Sequence, residues 1–355
     1  MKNRILVWGL SNNRAGTEAV IYNYVSRIKD ISFDFLCYEE PLNYSDLFEG
    51  TKNRYYVIPL KIKHPISYRI NLKKFMKIHH AEYSTVWCNI NDVSNIDLLI
   101  LAKKYGIKRR IVHMHNSRIP DVFITQLFSK LNWRKCLKLA TDKWACSEEA
   151  GRFLYGLLPF KVIPNMVNAG ACVFDVEKRT RLRGELGLGD SYVIGNVGRL
   201  DVQKNQQFLI KILPILLKIN PKIKLLFVGE GPLREELQGL AYTMGVSEEV
   251  VFCGTQSDIQ GYLSVFDVFA FPSLYEGLSL SILEAQFNGL PCIISEGVGE
   301  ESIISNGTTI IELKNEKKWI ETLLKFTRDD VILNNFASRF DIANIDSVID
   351  EMFRK

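Results

Sequence analysis

Two glycines and two cations lie close together in the second half of the chain and could hold a phosphate group. Residues 195–200 read Gly-Asn-Val-Gly-Arg-Leu, and Lys204 follows at the predicted start of a helix. A glycine lets the backbone approach a ligand closely, while Arg199 and Lys204 place positive charge beside the positive end of a helix. This spacing therefore indicates a diphosphate site at Gly198, Arg199 and Lys204. A tight turn with two solvated cations is the alternative that the segment alone leaves open.

A pair of carboxylates, Glu276 and Glu284, follows further along the chain. Residues 273–285 read Ser-Leu-Tyr-Glu-Gly-Leu-Ser-Leu-Ser-Ile-Leu-Glu-Ala. Gly277 and Ser279 mark a loop that enters a helix, so Glu276 precedes the helix beside exposed amides and Glu284 lies on its flank. Glu276 and these amides could bind sugar hydroxyls, and Glu284 could bind the two hydroxyls of a ribose. An acidic helix start and a separate surface glutamate are the alternative.

A second glycine-rich segment, residues 228–232, reads Val-Gly-Glu-Gly-Pro after the next predicted strand. Its proline stands at a favourable first helical position. The segment lacks the third glycine of the dinucleotide-binding pattern G-x-G-x-x-G, and no such pattern follows the first predicted strand. A nicotinamide-dependent oxidoreductase is therefore disfavoured, and no cofactor is expected.

The elements that must position these motifs are short apolar runs alternating with segments of helical period, which is typical of parallel sheets covered by helices. Strands are predicted at 4–10, 33–38, 55–60, 85–90, 110–115, 143–146, 192–198, 224–229, 250–253, 267–271, 291–295 and 308–313. Helices are predicted at 17–29, 66–80, 93–105, 119–140, 203–219, 232–244, 257–264 and 279–288.

The same alternation occurs before and after Pro164, so we predict an α/β protein with two doubly wound domains. The domains span residues 1–166 and 167–335, and a helical segment at 336–355 is expected to return to the first domain. In such sheets ligands bind beyond the carboxyl ends of the strands, and two such domains face a cleft.

Composition excludes several classes of protein. The 355 residues are 47% hydrophobic and 24% charged, as in soluble globular proteins. No run approaches the roughly 18 apolar residues of a membrane span. The seven cysteines are odd in number and form no C-x-x-C pair, so reduced thiols are expected instead of a disulfide framework or a zinc site. The net charge of +5 is too mild for a dedicated nucleic-acid binder. A cytoplasmic location is predicted.

Taken in order, these segments resemble the retaining glycosyltransferases of family four, whose GT-B fold consists of two Rossmann-like domains facing a central cleft. Bacterial capsule and exopolysaccharide glycosyltransferases are the most similar in character. The segments that carry the resemblance are Ala15-Gly16-Thr17-Glu18, His113-Met114-His115-Asn116-Ser117, Pro164-Asn165, Gly198-Arg199 with Lys204, Gly229-Glu230-Gly231-Pro232, and the block from Glu276 to Glu284-Ala285.

The resemblance implies a role for each motif. Arg199 and Lys204 would neutralise the diphosphate leaving group, Glu276 would bind the transferred sugar, and His115 would face that sugar from the first domain. These four are the expected catalytic residues, whereas His113 is expected to be a hydrogen-bonded core residue. The expected donor-binding residues are Gly16, Gly198, Arg199, Lys204, Gly231, Glu276, Gly277, Leu278, Ser279 and Glu284.

The implied function is retaining transfer of a hexose-type sugar from a nucleotide diphosphate donor, with UDP as the expected nucleotide. The acceptor would be a lipid-linked or other saccharide in bacterial surface polysaccharide synthesis. No D-x-D sequence occurs, which fits an enzyme that needs no metal ion. A noncatalytic GT-B partner of another glycosyltransferase and a GT-B sugar-nucleotide epimerase are the alternatives.

The positive charge is concentrated in residues 101–140, which hold ten lysines and arginines against the single acidic residue Asp121. Apolar residues lie among these cations at helical spacing, namely Ile119, Val122, Phe123, Leu127, Leu131 and Trp133. One hypothesis is a domain helix that buries its apolar side beneath a solvated basic face. The resemblance implies that residues 1–166 bind the acceptor and residues 167–335 bind the nucleotide sugar. The other hypothesis is a patch on this acceptor-binding domain that binds anionic lipid at the inner face of the cell membrane, which would make the protein peripheral.

Overall fold

Thirteen strands in two sheets form the framework of the computed structural model, which describes residues 4–12, 16–119, 122–325, 328 and 331–354. The chain divides into two units, of which the first comprises Met1–Met166 with Ile345–Lys355 and the second comprises Val167–Asn344. All strand pairings are parallel. The predicted α/β class with two doubly wound parallel sheets is confirmed.

The first unit contains seven strands and the helices that connect them. The strands are β1 (Arg4–Trp8), β2 (Ser32–Cys37), β3 (Arg54–Val57), β4 (Thr85–Ile90), β5 (Arg109–Met114), β6 (Asp142–Ala145) and β7 (Lys161–Val162). The helices are α1 (Thr17–Val25), α2 (Pro65–His79), α3 (Asp97–Lys104), α4 (Phe123–Leu139) and α5 (Glu148–Tyr155). The strand order is β3-β2-β1-β4-β5-β6-β7, so the direction of winding reverses between β1 and β4.

The second unit repeats this plan with six strands. They are β8 (Tyr192–Val197), β9 (Ile223–Val228), β10 (Val250–Gly254), β11 (Val268–Phe271), β12 (Cys292–Ser295) and β13 (Thr308–Ile311). Its helices are α6 (Val176–Glu185), α7 (Gln206–Ile219), α8 (Arg234–Thr243), α9 (Ile259–Val265), α10 (Leu280–Phe287) and α11 (Glu316–Leu323). The order β10-β9-β8-β11-β12-β13 places the reversal between β8 and β11.

Apolar side chains cover both faces of the second sheet, as the uninterrupted apolar strands predict. On one face the rings of Phe208 and Trp319 lie 5.1 Å apart, and on the other face Phe269 and Phe271 stack at 5.6 Å. Successive residues of β11 contribute to opposite faces, because side chains alternate along a strand. This burial fixes where β8 and β11 end, and therefore where their loops begin.

The end of the chain packs in the first unit through α12 (Ile345–Ile349) and the helical turn Asp350–Arg354. The ring of Phe353 lies 5.5 Å from that of Trp87 and 5.8 Å from that of Trp144. Burial of these aromatic rings supplies the apolar contact that ties the tail to the first sheet.

The second unit extends to Asn344, nine residues beyond the predicted end at 335. Residues 336–344 stay with it because Val167 pairs with this segment: the Val167 amide donates to the Phe340 carbonyl at 2.8 Å, and the Ile342 amide donates to the Val167 carbonyl at 2.8 Å. In the described part of the chain, no helix is long and apolar enough to cross a membrane.

Candidate active site

The carboxyl edge of the second sheet brings two of the predicted motifs together. β8 and β11 are neighbours, and loops 198–205 and 272–279 leave this edge side by side. The Asn196 side chain in β8 donates to the Ala270 carbonyl in β11 at 2.8 Å, which fixes the two strand ends against each other. This is the point where the direction of winding reverses, and such points form crevices in doubly wound sheets.

Hydrogen bonds of backbone and side-chain amide groups join the two loops. The Leu274 amide donates to the Gln203 carbonyl at 2.8 Å, and Gln203 Nε2 donates to the Tyr275 carbonyl at 2.9 Å. The Asn205 side chain donates to the Pro272 carbonyl at 3.1 Å. Asn205 adopts the left-handed conformation, with φ of 52°, immediately before α7. The predicted helix start at 203 therefore moves to Gln206, and Lys204 lies in the loop that precedes it.

Lys204 and Glu276 form an ion pair in this site. Lys204 Nζ lies 2.7 Å from Glu276 Oε1, and the two side chains are only 17% and 7% exposed. The same ammonium lies 4.7 Å from the centre of the Phe271 ring. The Glu276 amide donates to the Gly297 carbonyl at 2.8 Å, which holds the backbone of the carboxylate. The predicted phosphate-binding cation and the predicted sugar-binding carboxylate are thus direct neighbours.

Arg199 lies in the same loop as Lys204 but is far more accessible. Its side chain is 67% exposed, and its Nε lies 3.9 Å from Asp201 Oδ2. Asp201 Oδ1 accepts a hydrogen bond from the Lys204 amide at 3.1 Å, so Asp201 organises the loop between the two cations. An exposed guanidinium can turn towards an anionic ligand with little loss of packing.

Glycines in the loop after β9 allow this loop to pack closely against the loop that carries Arg199. A Cβ on Gly229, whose φ is +141°, would lie 2.1 Å from the Gly198 carbonyl oxygen, and one on Gly231 would lie 2.2 Å from the Leu200 carbonyl oxygen. Gly231, which is predicted to bind the donor, packs closely against the neighbouring loop. Gly198 is half-buried, and a Cβ there would lie 3.5 Å from Lys204 Cε.

Glu284 lies on α10, the helix that directly follows the loop of Glu276. Its side chain is half-buried, and desolvation of the carboxylate raises the pKa of Glu284 to about 7. Gly277, Leu278 and Ser279 are buried just before the helix begins at Leu280. These predicted donor-binding residues therefore lie in one continuous segment that runs from the loop after β11 into α10.

His115 follows β5 in the first unit and is buried beside Asn89. His115 Nε2 lies 3.0 Å from Asn89 Oδ1, and Asn89 Nδ2 donates to the Trp8 carbonyl at 3.3 Å. Because the Trp8 contact orients the amide, Nε2 of His115 carries the proton and donates to Asn89. Burial lowers the pKa of His115 to about 3, so its imidazole is neutral at ordinary pH.

His113 is fully buried, with its ring centre 4.2 Å from that of His115. Burial first, and the neighbouring His115 second, hold the pKa of His113 well below its usual range.

Gly16 immediately precedes α1, with φ of 63°, and no atom lies within 4 Å of a Cβ added at this position. Ala15 and Asp121, which the sequence analysis named, lie outside the described residues.

Sequence reasoning missed Asp201, Gln203 and Asn205, which shape the Lys204 loop, and Asn89, which orients His115. A capping signal would not have identified Asn205, because this residue is left-handed and its side chain makes no capping hydrogen bond and donates to the Pro272 carbonyl instead. Nowhere in the described ranges do three or more His, Cys, Asp or Glu side chains cluster in a way that could hold a metal ion.

Comparison with known proteins identifies relatives for this arrangement. Residues 178–342 match the family described as Glycosyl transferases group 1. EpsF of Bacillus subtilis, whose name assigns it as a glycosyltransferase, is 30% identical over 340 residues, which cover 88% of this chain and 85% of EpsF. The Escherichia coli UDP-Gal:alpha-D-GlcNAc-diphosphoundecaprenol alpha-1,3-galactosyltransferase is 34% identical over 200 residues, which cover 54% of this chain and 50% of that protein.

A solved structure of Anabaena Alr3699/HepE in complex with UDP and glucose has the same fold. It superposes with a TM-score of 0.79 at 21% identity and covers 99% of both chains. This likeness confirms the predicted GT-B fold, and the similarity to EpsF confirms the predicted resemblance. The chain belongs to the group 1 glycosyltransferases.

Proposed function

We propose that this glycosyltransferase moves a hexose-type sugar from a UDP-activated donor to a lipid-linked or other saccharide acceptor, with retention of anomeric configuration, in bacterial surface polysaccharide synthesis. The observation that carries the proposal is the pair of Lys204 and Glu276, at 2.7 Å, beside the exposed Arg199. The donor named for the Escherichia coli relative and the UDP bound by HepE support a uridine nucleotide.

The transfer breaks the bond between the anomeric carbon and the diphosphate oxygen and joins that carbon to an acceptor hydroxyl oxygen, which gives up its proton to the leaving phosphate. Negative charge therefore builds up on the leaving phosphate as the donor bond breaks. In this proposal Arg199 and Lys204 stabilise that charge, and neither a cofactor nor a metal ion is required. Lys204 is held in place by its carboxylate partner and is largely withdrawn from water, which strengthens its interaction with an anion. Arg199 supplies the mobile second cation.

Glu276 has two tasks in this scheme. A carboxylate offers about four acceptor positions, so it can hold Lys204 and still accept hydrogen bonds from sugar hydroxyls. The pair thereby links the position of the transferred sugar to the position of the cation that receives the leaving group. Glu284 accepts hydrogen bonds from the ribose, and the neutral His115 binds a sugar hydroxyl without adding charge.

A panel of sugar nucleotides with product analysis tests this function. We expect release of nucleoside diphosphate from a UDP-hexose and, with an acceptor, a product whose new linkage keeps the donor's anomeric configuration. Added chelator should leave the rate unchanged. Conversion of one sugar nucleotide into its epimer without release of diphosphate would instead establish an epimerase, and inversion at the anomeric carbon would refute the retaining mechanism.

The noncatalytic alternative is tested with variants in the same assay. Arg199→Ala should reduce turnover by about 10²–10³, the typical cost of removing one donor that stabilises developing charge. Lys211→Ala, at an exposed site on α7, is the matched control and should have no effect. If the Arg199→Ala variant turns over the donor as fast as the wild type does, the proposed role of this cation is contradicted.

A further inference from the structure

Two helices of the first unit expose large apolar side chains that an amphipathic helix normally buries. α4 buries Ser129, Cys136 and Leu139, whereas Phe123 is 78% and Leu131 68% exposed. The hypothesis that α4 buries its apolar side beneath a solvated basic face is therefore wrong. The side chains that α4 buries lie on another face of the helix, so Phe123, Ile124 and Leu131 remain exposed to solvent.

α2 repeats this feature, which the sequence analysis did not single out. It buries Tyr68, Leu72, Phe75 and Met76. Ile62, just before the helix, is 89% exposed, and Ile66 and Ile70 are 75% and 60% exposed. Single exposed apolar residues are ordinary, but two neighbouring segments that each expose several mark an interaction site.

The two helices share one arrangement of apolar and basic residues. On α2 the exposed Ile66 and Ile70 are followed at helical spacing by Lys73 and Lys77. On α4 the exposed Ile124, Leu127 and Leu131 are followed by Arg134 and Lys138 in the same way. In both helices the apolar residues therefore lie near the amino end and the cations lie near the carboxyl end.

The fold aligns these two patterns. α2 packs against α3, and α3 packs against α4, so the three helices form one layer. Each of them leads from the end of one parallel strand to the start of the next, so their amino ends lie at the carboxyl edge of the sheet. The apolar ends of α2 and α4 thus share the edge that also carries Gly16 and His115.

We propose that this surface, the α2–α4 surface, binds an anionic lipid bilayer. Its apolar tip is formed by Ile62, Ile66, Ile70, Phe123, Ile124 and Leu131, and its cations are Lys73, Lys77, Lys130, Arg134, Lys135 and Lys138. The apolar tip enters the interface between head groups and acyl chains, while the cations behind it contact lipid phosphates. The tip lies at the edge where a lipid-linked acceptor would reach the first unit.

The charge of the α2–α4 surface distinguishes between an anionic membrane, a second copy of the chain and a nucleic acid as its partner. Residues 61–81 and 122–141 contain no aspartate or glutamate, so the surface complements an anionic plane. A second copy of the chain would bring like charges together across a symmetric contact, which disfavours self-association. A nucleic acid would neutralise the cations but would leave the isoleucines and phenylalanines in water. An anionic membrane satisfies both the apolar and the basic residues.

Vesicle co-sedimentation of the full chain tests this proposal, with phosphatidylcholine alone or mixed with phosphatidylglycerol, at low and high salt. We expect binding to the mixed vesicles at low salt, weakened by added salt. Lys135→Gln with Lys138→Gln should weaken it roughly 30-fold, from about 1 kcal/mol per cation. Phe123→Ser with Ile124→Ser, and separately Ile62→Ser with Ile66→Ser, should each weaken it at least about tenfold.

Matched controls come from α7 in the second unit, where Ile215 and Ile219 are exposed beside Lys211 and Lys218. Ile215→Ser with Ile219→Ser and Lys211→Gln with Lys218→Gln should leave vesicle binding unchanged. Equal binding to neutral and mixed vesicles, or an equal loss in the controls, would overturn the proposal. So would a dimer in solution that the Phe123→Ser and Ile124→Ser substitutions abolish.

The proposal goes beyond the donor chemistry and does not depend on it. Turnover of a sugar nucleotide by water or by a soluble acceptor should be the same in the α2–α4 variants as in the wild type. Loss of vesicle binding with normal soluble turnover is the expected result. If the wild type turns over its donor but does not bind vesicles, the proposed lipid-binding surface is rejected and the proposed function is not.

Discussion

Lys204 Nζ lies 2.7 Å from Glu276 Oε1, across the two loops that leave neighbouring strands of the second sheet. The residues are far apart in the chain, and the parallel sheet brings them together at its carboxyl edge. Both side chains are nearly withdrawn from water, so each charge depends on the other for compensation. The stability of the site therefore depends on the same two charges that are proposed to act in the transfer.

A double-mutant cycle on this pair should show strong coupling. Lys204→Met leaves a mostly buried carboxylate without its cation, and Glu276→Gln leaves the ammonium without its anion. The double variant removes both charges, so its loss of unfolding free energy should be smaller than the sum of the single losses. We expect a coupling energy on the order of 1–3 kcal/mol in chemical denaturation.

The exposed pair of Lys317 and Glu321 provides the control for this cycle. Its side chains are 89% and 44% exposed at a separation of 4.0 Å. Lys317→Met and Glu321→Gln should couple by no more than about 0.5 kcal/mol. Similar coupling energies for the two pairs would show that burial does not strengthen the contact between Lys204 and Glu276.

Glu284 should make stability and donor binding depend on pH near neutrality. Desolvation raises the pKa of Glu284 to about 7 in the folded protein, from 4.5 for an unperturbed glutamate side chain. Between these values the unfolded chain has lost this proton while the folded chain retains it, so the unfolding free energy falls as pH rises from 4.5 to 7. Above pH 7 this contribution is constant.

Glu284→Gln should remove that part of the pH dependence, measured by denaturation at a series of pH values. The donor KM of the wild type should fall as pH rises through 7, because the ionised carboxylate accepts hydrogen bonds from the ribose most strongly. The variant should show a higher KM with a flatter pH profile. A variant with the wild-type profile would exclude Glu284 as the titrating group.

His115 should contribute a pH dependence of opposite sign. Burial lowers the pKa of His115 to about 3, so the unfolded chain takes up a proton below its usual value of 6.5 while the folded chain does not. The unfolding free energy should therefore decrease as pH falls from 6.5 towards 3. His115→Asn should make this decrease shallower, as measured by denaturation at a series of pH values. A variant with the wild-type slope would contradict a buried neutral His115.

Gly229 should tolerate no side chain. Its φ is +141°, and a Cβ would lie 2.1 Å from the Gly198 carbonyl oxygen, so Gly229→Ala must separate the loop after β9 from the loop that carries Arg199. We expect a loss of unfolding free energy of more than about 2 kcal/mol together with lost turnover. Gly239→Ala, inside α8 with no atom within 4 Å of the Cβ, should instead stabilise by about 0.5–1 kcal/mol. Equal effects of the two substitutions would argue against the close approach.

Much of the fold could be predicted from the sequence because buried parallel strands are short apolar runs between helices. The predicted runs 192–198 and 267–271 became β8 and β11 with shifts of one residue. α6 was not predicted, since its sequence is highly charged and only Leu182 of the helix is buried. β7 has two residues, too few to produce a pattern.

The site was only partly predictable for a different reason. Arg199 and Glu276 could be named because polar residues that follow buried strands collect at one edge of a parallel sheet. The contact between Lys204 and Glu276 depends on the left-handed Asn205 and on hydrogen bonds between loops, which no local pattern encodes. The sequence left the orientation of α4 open between two hypotheses, because periodicity shows which residues share a face but not which face meets the sheet.

Binding of UDP, measured by isothermal titration calorimetry, tests the central claim that the carboxyl edge of the second sheet holds the donor diphosphate. The account predicts that the wild type binds one UDP and that Arg199→Ala and Lys204→Ala each weaken binding at least about tenfold, since a hydrogen bond to a charged group contributes about 1.5–3 kcal/mol. Lys211→Ala should bind as the wild type does. A wild type that binds no UDP, or Arg199→Ala and Lys204→Ala variants that bind it with unchanged affinity, would contradict the account.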